Sequence, residues 1–284
     1  MQVQSKMRSE GYPISITKLC KLLNIPRRSF YYKPVKRIRK LDEERVKKVK
    51  EKIEKFPTYG YRCLALLLGM NKKAVQRILQ LKSWQVRKRS KGHRPRAKMM
   101  PSRSHYPNQR WTIDMTRIYS INDGWSTLAC VIDTCTREIV GWRLSKSGKA
   151  KTAEAALQEG LIYRFGRLQR LKEPIVLRSD NGLVFTSKSF TKTIKDYNFT
   201  QEFITPYTPE RPSEATTPQA KPRTNGMIER FFRTIKEECI WHYNFKSLKE
   251  SNKIIEEWIN FYNQKRKHSA LQYKTPVEVF HLVA

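Results

Sequence analysis

Acidic residues are scarce in this chain of 284 residues: 25 Asp and Glu stand against 58 Lys and Arg, leaving a formal charge of +33. That is far more than solubility needs, and a polyanion is the expected partner, nucleic acid first. Long apolar runs are missing as well. The longest, Leu64 to Leu68, is far too short to span a bilayer, and the N-terminus lacks the apolar segment of a secretory signal. No membrane is therefore expected, and the chain reads as cytoplasmic. Cysteines number only five and are scattered (Cys20, Cys63, Cys130, Cys135, Cys239), with no CxxC pair. The five histidines are not at ligand spacing either, which excludes a disulfide framework and a zinc module.

What is present is uneven. Residues 1–110 hold 31 Lys and Arg against 6 acids, and residues 111–284 hold 27 against 19, so the basic surface is mainly N-terminal. At 39% hydrophobic the chain can bury a real core. The expected division is a helical DNA-binding region over 1–100 and an α/β region with a C-terminal helical tail over 101–284.

In the first region, a capping residue at Ser15 and a break at Asn24-Ile25-Pro26 outline either a helix-turn-helix or an ordinary helical hairpin over 15–32. A charged helix is expected from Leu41 to Lys55. A second candidate covers 61–81. There Leu64, Leu67 and Leu68 form one stripe, Gly69-Met70-Asn71 turns, and Ala74, Val75, Ile78 and Leu79 form the next. Lys72, Lys73, Gln76 and Arg77 lie opposite, where a recognition helix makes its DNA contacts. Residues 82–98 carry eight basic residues and no acid, including Arg87, Lys88 and Arg89, and read as a cationic linker tracking a phosphate backbone.

The second region opens with Trp111, Ile113 and Met115 alternating with Thr112, Asp114 and Thr116, the period of a half-buried strand with a carboxylate at its middle. Turns at Asn122-Asp123-Gly124 and Thr134 to Arg137 make a three-strand antiparallel meander. A helix capped by Thr152 and a buried strand at Ile175 to Leu177 imply a parallel crossover, which puts Asp180 at a strand's C-terminal end. A short helix around Phe190, Ile194 and Tyr197 and a strand at 200–204 follow. Residues 205–224 hold five prolines and read as loop. After Asn225-Gly226, the side chains Ile228, Phe231, Phe232, Ile235 and Cys239 form a helical stripe bordered by Glu229. At about 100° per residue, Arg233 and Lys236 fall roughly 40° and 20° from Glu229 around that helix. A last long helix begins with the capping box Ser247 to Glu250.

Phosphoryl transfer on nucleic acid commonly relies on two divalent ions held by a few carboxylates. Asp114, Asp180 and Glu229 sit on a strand, at a strand end and on a packed helix. Each also has a structural role open to it, as amide acceptor, turn former or partner of Arg233. Asp123 and Asp133 read as mainly structural.

The segments Trp111 to Thr116, Val131-Ile132-Asp133 with Ile139 to Trp142, Arg178-Ser179-Asp180-Asn181-Gly182, Asn225 to Phe232, and Tyr262-Asn263 through His268, Thr275-Pro276 and Glu278 resemble the integrase-core transposases of bacterial insertion sequences. The similarity is greatest to the second-frame (OrfB) product of the insertion-sequence-three family and covers nearly the whole chain. It implies an RNase H-like fold with a mixed five-stranded sheet, and a site of Asp114, Asp180 and Glu229 holding two Mg²⁺ or Mn²⁺. It also implies contact between Lys236 and terminal DNA, strand cleavage and strand transfer on double-stranded DNA, and a nucleoid-associated homo-oligomer that acts with or without an upstream-frame product. A catalytically inactive transposon-derived DNA-binding protein and an RNase H-type nuclease are the alternatives. One departure stands out: 48 residues separate Asp180 from Glu229, more than is usual in the family. The surplus maps to Arg211 to Thr224, expected to be a mobile surface loop beside the site.

Overall fold

The structure, a computed structural model, describes residues 2–32, 41–86, 104–204 and 225–283. The expectations for Arg87, Lys88, Arg89, most of the basic stretch and the 205–224 segment lie outside these residues. Backbone contacts divide the chain into Met1–Arg45 and Val46–Ala284. The first unit holds α1 (Gln2–Ser9), α2 (Ile16–Leu22) and α3 (Arg27–Tyr31). Ser15 caps α2, its hydroxyl accepting from the Lys18 N–H at 3.3 Å. A charged helix, α4 (Glu43–Lys55), crosses the division.

By backbone contacts, 46–86 falls in the same unit as the sheet. Phe56 stacks on Phe261, and the Lys267 N–H donates to the Tyr59 hydroxyl at 3.1 Å. Helices α5 (Tyr61–Leu68) and α6 (Lys72–Leu81) flank a turn in which Gly69 adopts φ +61°, a left-handed helix end that favours glycine. Asn71 then caps α6, accepting from the Lys73 N–H at 2.9 Å. The pair closes on Leu64, Ala65, Val75, Ile78 and Leu79. Leu67, expected inside, is exposed, since the interface of so short a helix centres on Leu64 and Ala65.

The core sheet comprises β1 (Arg110–Ser120), β2 (Gly124–Asp133), β3 (Ile139–Ser145), β4 (Ile175–Ser179) and β5 (Phe199–Phe203), in the order β3-β2-β1-β4-β5. The first three form the antiparallel meander; β4 joins β1 in parallel and β5 joins β4 in parallel. The crossover from β3 to β4 is α7 (Ala150–Phe165), and α8 (Lys188–Asp196) connects β4 to β5. This is the RNase H-like arrangement. Thr152 is not the cap of α7: Lys149 holds that position and the Thr152 hydroxyl donates to the Ser147 carbonyl at 2.6 Å, inside the first turn.

Both faces of the sheet are covered, so β1 is more deeply enclosed than its alternation implied. Trp111, Ile113, Val131 and Leu177 pack with Leu157 and Phe190 of α7 and α8. On the other face Ile118, Leu128, Cys130 and Ile132 pack with α9 (Gly226–Glu238) and α10 (Leu248–Gln264). Close approach of α7 to β3 depends on Gly141, where an added Cβ would stand 2.1 Å from the Ala156 carbonyl oxygen. At the other face, the Asn263 side chain accepts from the Ile139 N–H and donates to the Ile139 carbonyl, both at 2.9 Å. It thereby satisfies the backbone where β3 slips register against β2. The chain ends in α11 (Pro276–Val283), opened by reciprocal bonds between Thr275 and Glu278. Among the described residues no helix is long and apolar enough to cross a membrane.

Candidate active site

Asp114 lies opposite Cys130 in the β1–β2 ladder, two residues past Thr112, the last β1 residue paired with β4. The edge of β1 is therefore open on that side at the carboxylate. Its Oδ1 accepts from the Met115 N–H at 2.7 Å. Burial pushes the Asp114 carboxyl up to about 6, the Met115 bond opposes that, Asp180 and Glu229 add repulsion, and Lys236 partly offsets it. The three carboxylates and the lysine thus share one electrostatic neighbourhood, although they come from β1, the end of β4 and α9.

Asp180 follows the last residue of β4 and is exposed, its Oδ1 accepting from the Gly182 N–H at 3.0 Å. One oxygen is thereby engaged in its own turn. Glu229 is exposed in the first turn of α9, where the positive end of the helix dipole favours a carboxylate. Ile228, Phe231, Phe232 and Ile235 bury the opposite side, as their spacing predicted.

Asn225 ties these elements together. It is buried immediately before α9; its side-chain carbonyl accepts from the Thr112 hydroxyl, and its amide lies 3.5 Å from the Ile113 carbonyl. The same Thr112 oxygen is 3.4 Å from the Arg178 carbonyl on β4. One buried cluster therefore joins the three carboxylate-bearing elements. The sequence marked Asn225 only as a helix opener, because its partners stand 112 and 113 positions away.

The three carboxylates do not converge on a single point: among the described residues no three His, Cys, Asp or Glu side chains are grouped to hold an ion. The donor chemistry nonetheless fits a hard divalent cation. All three groups are oxygen donors, two are on exposed side chains, and the repulsion that Asp180 and Glu229 exert on Asp114 is partly offset by Lys236. Arg233, placed on the same helical strip, is engaged by Glu237 at 2.8 Å. Lys72 and Lys73 are exposed on α6, and Gln76 and Arg77 are half-buried. Asp133 and Asp123 have structural partners, as expected: Asp133 accepts from the backbone of Asn108, Cys135 and Thr136, and Asp123 from the Leu248 N–H and Lys146.

A mixed sheet of this order, with acidic side chains on its central strand, after a neighbouring strand end and on a covering helix, is the core of a polynucleotidyl transferase of the integrase type. Two family models, both described as integrase core domain, match residues 104–209 and 213–276, together more than half of the chain. The putative transposase InsK for insertion sequence element IS150 of Escherichia coli (strain K12) is 28% identical over 296 residues, covering 98% of this chain and 96% of that protein. The transposase for insertion sequence element IS904 of Lactococcus lactis subsp. lactis (strain IL1403) is 28% identical over 171 residues, 60% of each chain. Among solved structures, the HTLV-2 integrase catalytic core domain in complex with magnesium covers 63% of this chain and 100% of its own, at 19% identity and a TM-score of 0.45, a likeness too slight to add to the topology. The chain belongs to the integrase-core transposases of bacterial insertion sequences.

Proposed function

We propose that this transposase cuts and joins DNA strands at the ends of an insertion sequence through Asp114, Asp180 and Glu229, which would hold two Mg²⁺ or Mn²⁺ ions. What carries the reading is the half-buried Asp114 on the central strand, whose charge is felt together with those of Asp180, Glu229 and Lys236. Bound divalent ions supply Lewis-acid activation of the attacking oxygen and stabilisation of the leaving one. The chain's own part is positional. Asn225 and Thr112 fix α9 against β1, which sets Glu229 relative to Asp114, and Lys236 offers a cation to a phosphate entering beside the carboxylates. The freed 3′-hydroxyl is the nucleophile for joining, so no side chain forms a covalent intermediate.

Double-stranded DNA is the partner, both as element ends and as target. Holding two ends at once requires more than one copy, so a homo-oligomer assembled on DNA follows, with an upstream-frame product as a further candidate component. The working location is the cytoplasm, at the nucleoid, where chromosomal DNA lies. Lys72, Lys73, Gln76 and Arg77 on α6 are proposed to contact the element's ends, and Arg87, Lys88 and Arg89 the backbone of any duplex.

The test is cleavage and strand transfer on end-bearing DNA in Mg²⁺. Asp114→Asn, Asp180→Asn and Glu229→Gln should each cost more than the ~100-fold at which changes to groups behind metal ligands saturate. All three should still fold. In metal-free buffer the Asp114→Asn protein should melt above the parent at pH values over about 6, with the difference vanishing as pH falls toward the ordinary carboxylate range, since the raised Asp114 pKa makes its ionised form a cost of folding. Full activity in all three variants would discard the assignment.

A further inference from the structure

Where the β1–β2 hairpin meets the end of α9, the fold leaves a cavity of about 730 Å³. Its floor is apolar and fixed, made by the buried Ile118 and Phe245. Its rim is aromatic and wet: Trp125 and Trp241 are each 61% exposed, Tyr119 53% and Tyr243 51%. Single exposed aromatics are ordinary; four around one cavity are not.

Three of the four rings have partners. Tyr119 and Trp125 oppose each other in the ladder and meet edge to face at 5.4 Å. Tyr243 stacks on Phe245 with ring planes 14° apart. The loop bearing them is bonded to the hairpin tip, Ile121 N–H to the Phe245 carbonyl at 2.9 Å and Asn122 N–H to the Lys246 carbonyl at 3.0 Å.

Cations share the same wall, for Arg117 and Lys236 both line the cavity. Lys236 is also the lysine whose charge is felt at Asp114. Along β1, Ile118 is four residues beyond Asp114 on the same face, about 13 Å at strand rise.

We propose that this cavity binds unpaired nucleotides of the DNA strand being processed, with bases against the Trp and Tyr rings and phosphates against Arg117 and Lys236. Rings and cations together form the surface that single strands use, because only unpaired bases offer a free π-face, whereas an intact duplex keeps its bases stacked on one another. A second copy of the chain fits less well, since it would bring further positive charge to a cationic wall on a molecule already at +33. The proposal rests on DNA being the substrate and adds that the end is held partly unpaired.

The experiment compares the full-length protein with a Trp125→Ala/Trp241→Ala double variant and its Phe/Phe counterpart. Fluorescence anisotropy in EDTA follows a short labelled oligo-dT strand, a blunt duplex of the same length, and that duplex with an unpaired tail. The double Ala variant should lose about 5-fold or more in affinity per ring for the single strand and the tailed duplex, with the blunt duplex unchanged and the Phe/Phe protein largely preserved. Melting temperatures near the parent's confirm folding. Unchanged single-strand affinity, or an equal loss on all three DNAs, overturns the proposal. A drop in oligomer size in the Ala variant by light scattering, with DNA binding intact, does so too and assigns the cavity to a second copy. Cleavage by the three carboxylate variants is a separate readout, so failure of the transposase mechanism is distinguishable from failure of this site.

Discussion

The buried amide of Asn225 spans two adjacent residues of β1, and its loss would leave the Thr112 hydroxyl with only a long contact to Arg178. Asn225→Ala should therefore cost about 1–3 kcal/mol of stability, the usual cost of stranding a buried polar group. Its effect on catalysis should exceed that, because displacement of Glu229 by ~1 Å can cost ~100-fold in rate. Urea melts and strand-transfer rates, measured where the variant is fully folded, check both. An unchanged rate would show that Asn225 is merely structural. At this scale the pattern marks Asp114 in an alternating strand, Asp180 at the end of an apolar run and Glu229 at the margin of a helical stripe, but leaves each a structural role as well; the family resemblance, not the pattern, singles them out as a candidate site. Thr112 and Asn225 interrupt nothing, and periodicity carries no signal for a contact across 113 positions.

Among elements, the segment after α10 departs most from its sequence appearance. Lys265 to His268 is an unbroken basic run in the sequence, yet Arg266 is enclosed. It binds Glu238 of α9 through two parallel bonds, Nη2 to Oε1 at 2.6 Å and Nε to Oε2 at 2.9 Å, and lies over the rings of Tyr59 and Tyr262. His268 is buried behind it, edge to face with Tyr262 at 4.8 Å. Burial, then Arg266 and Arg137, push the His268 pKa down to about 3. A neutral imidazole in the fold and an ordinary one in the unfolded chain mean that stability is complete above about pH 6.5 and is lost as pH falls below it. His268→Gln should flatten this acid limb, with the parent losing about 2 kcal/mol more than the variant between about pH 7 and pH 4.5 in urea melts. Equal slopes would show that His268 does not titrate on unfolding. The cap read at Thr152 is in fact at Lys149, whereas helix stripes and the Ser247 cap were readable locally. The covering of both sheet faces was not, since α9 and α10 arrive from about 100 residues downstream of the strands they cover.

For the molecule as a whole, charge decides how DNA is met. Lys72 and Lys73 stand exposed at the start of α6, and if each neutralises a phosphate, the slope of log affinity against log salt should fall by about 2 when both become Gln. Gln76→Ala should change that slope little and instead reduce the preference for element ends, because a carboxamide reads base edges. Mobility-shift titrations at several salt concentrations separate the two effects; an unchanged slope in the double variant would remove α6 from the interface. Composition foretold a polyanion partner and an N-terminal bias in charge. It did not foretell that 46–86 would be built onto the same unit as the sheet, which depends on single contacts such as Phe56 with Phe261 and Tyr59 with Lys267.

Asn263, which completes the backbone of β3 from the far end of α10, also gates the protein in time. A ribosome has read Asp114, Asp180 and Glu229 well before it reaches Asn263, and until then Ile139 lacks both partners for its peptide groups. A nascent chain that has passed Glu229 but not Asn263 thus carries all three carboxylates, on β1, just after β4 and on α9, while the layer covering the sheet is unfinished.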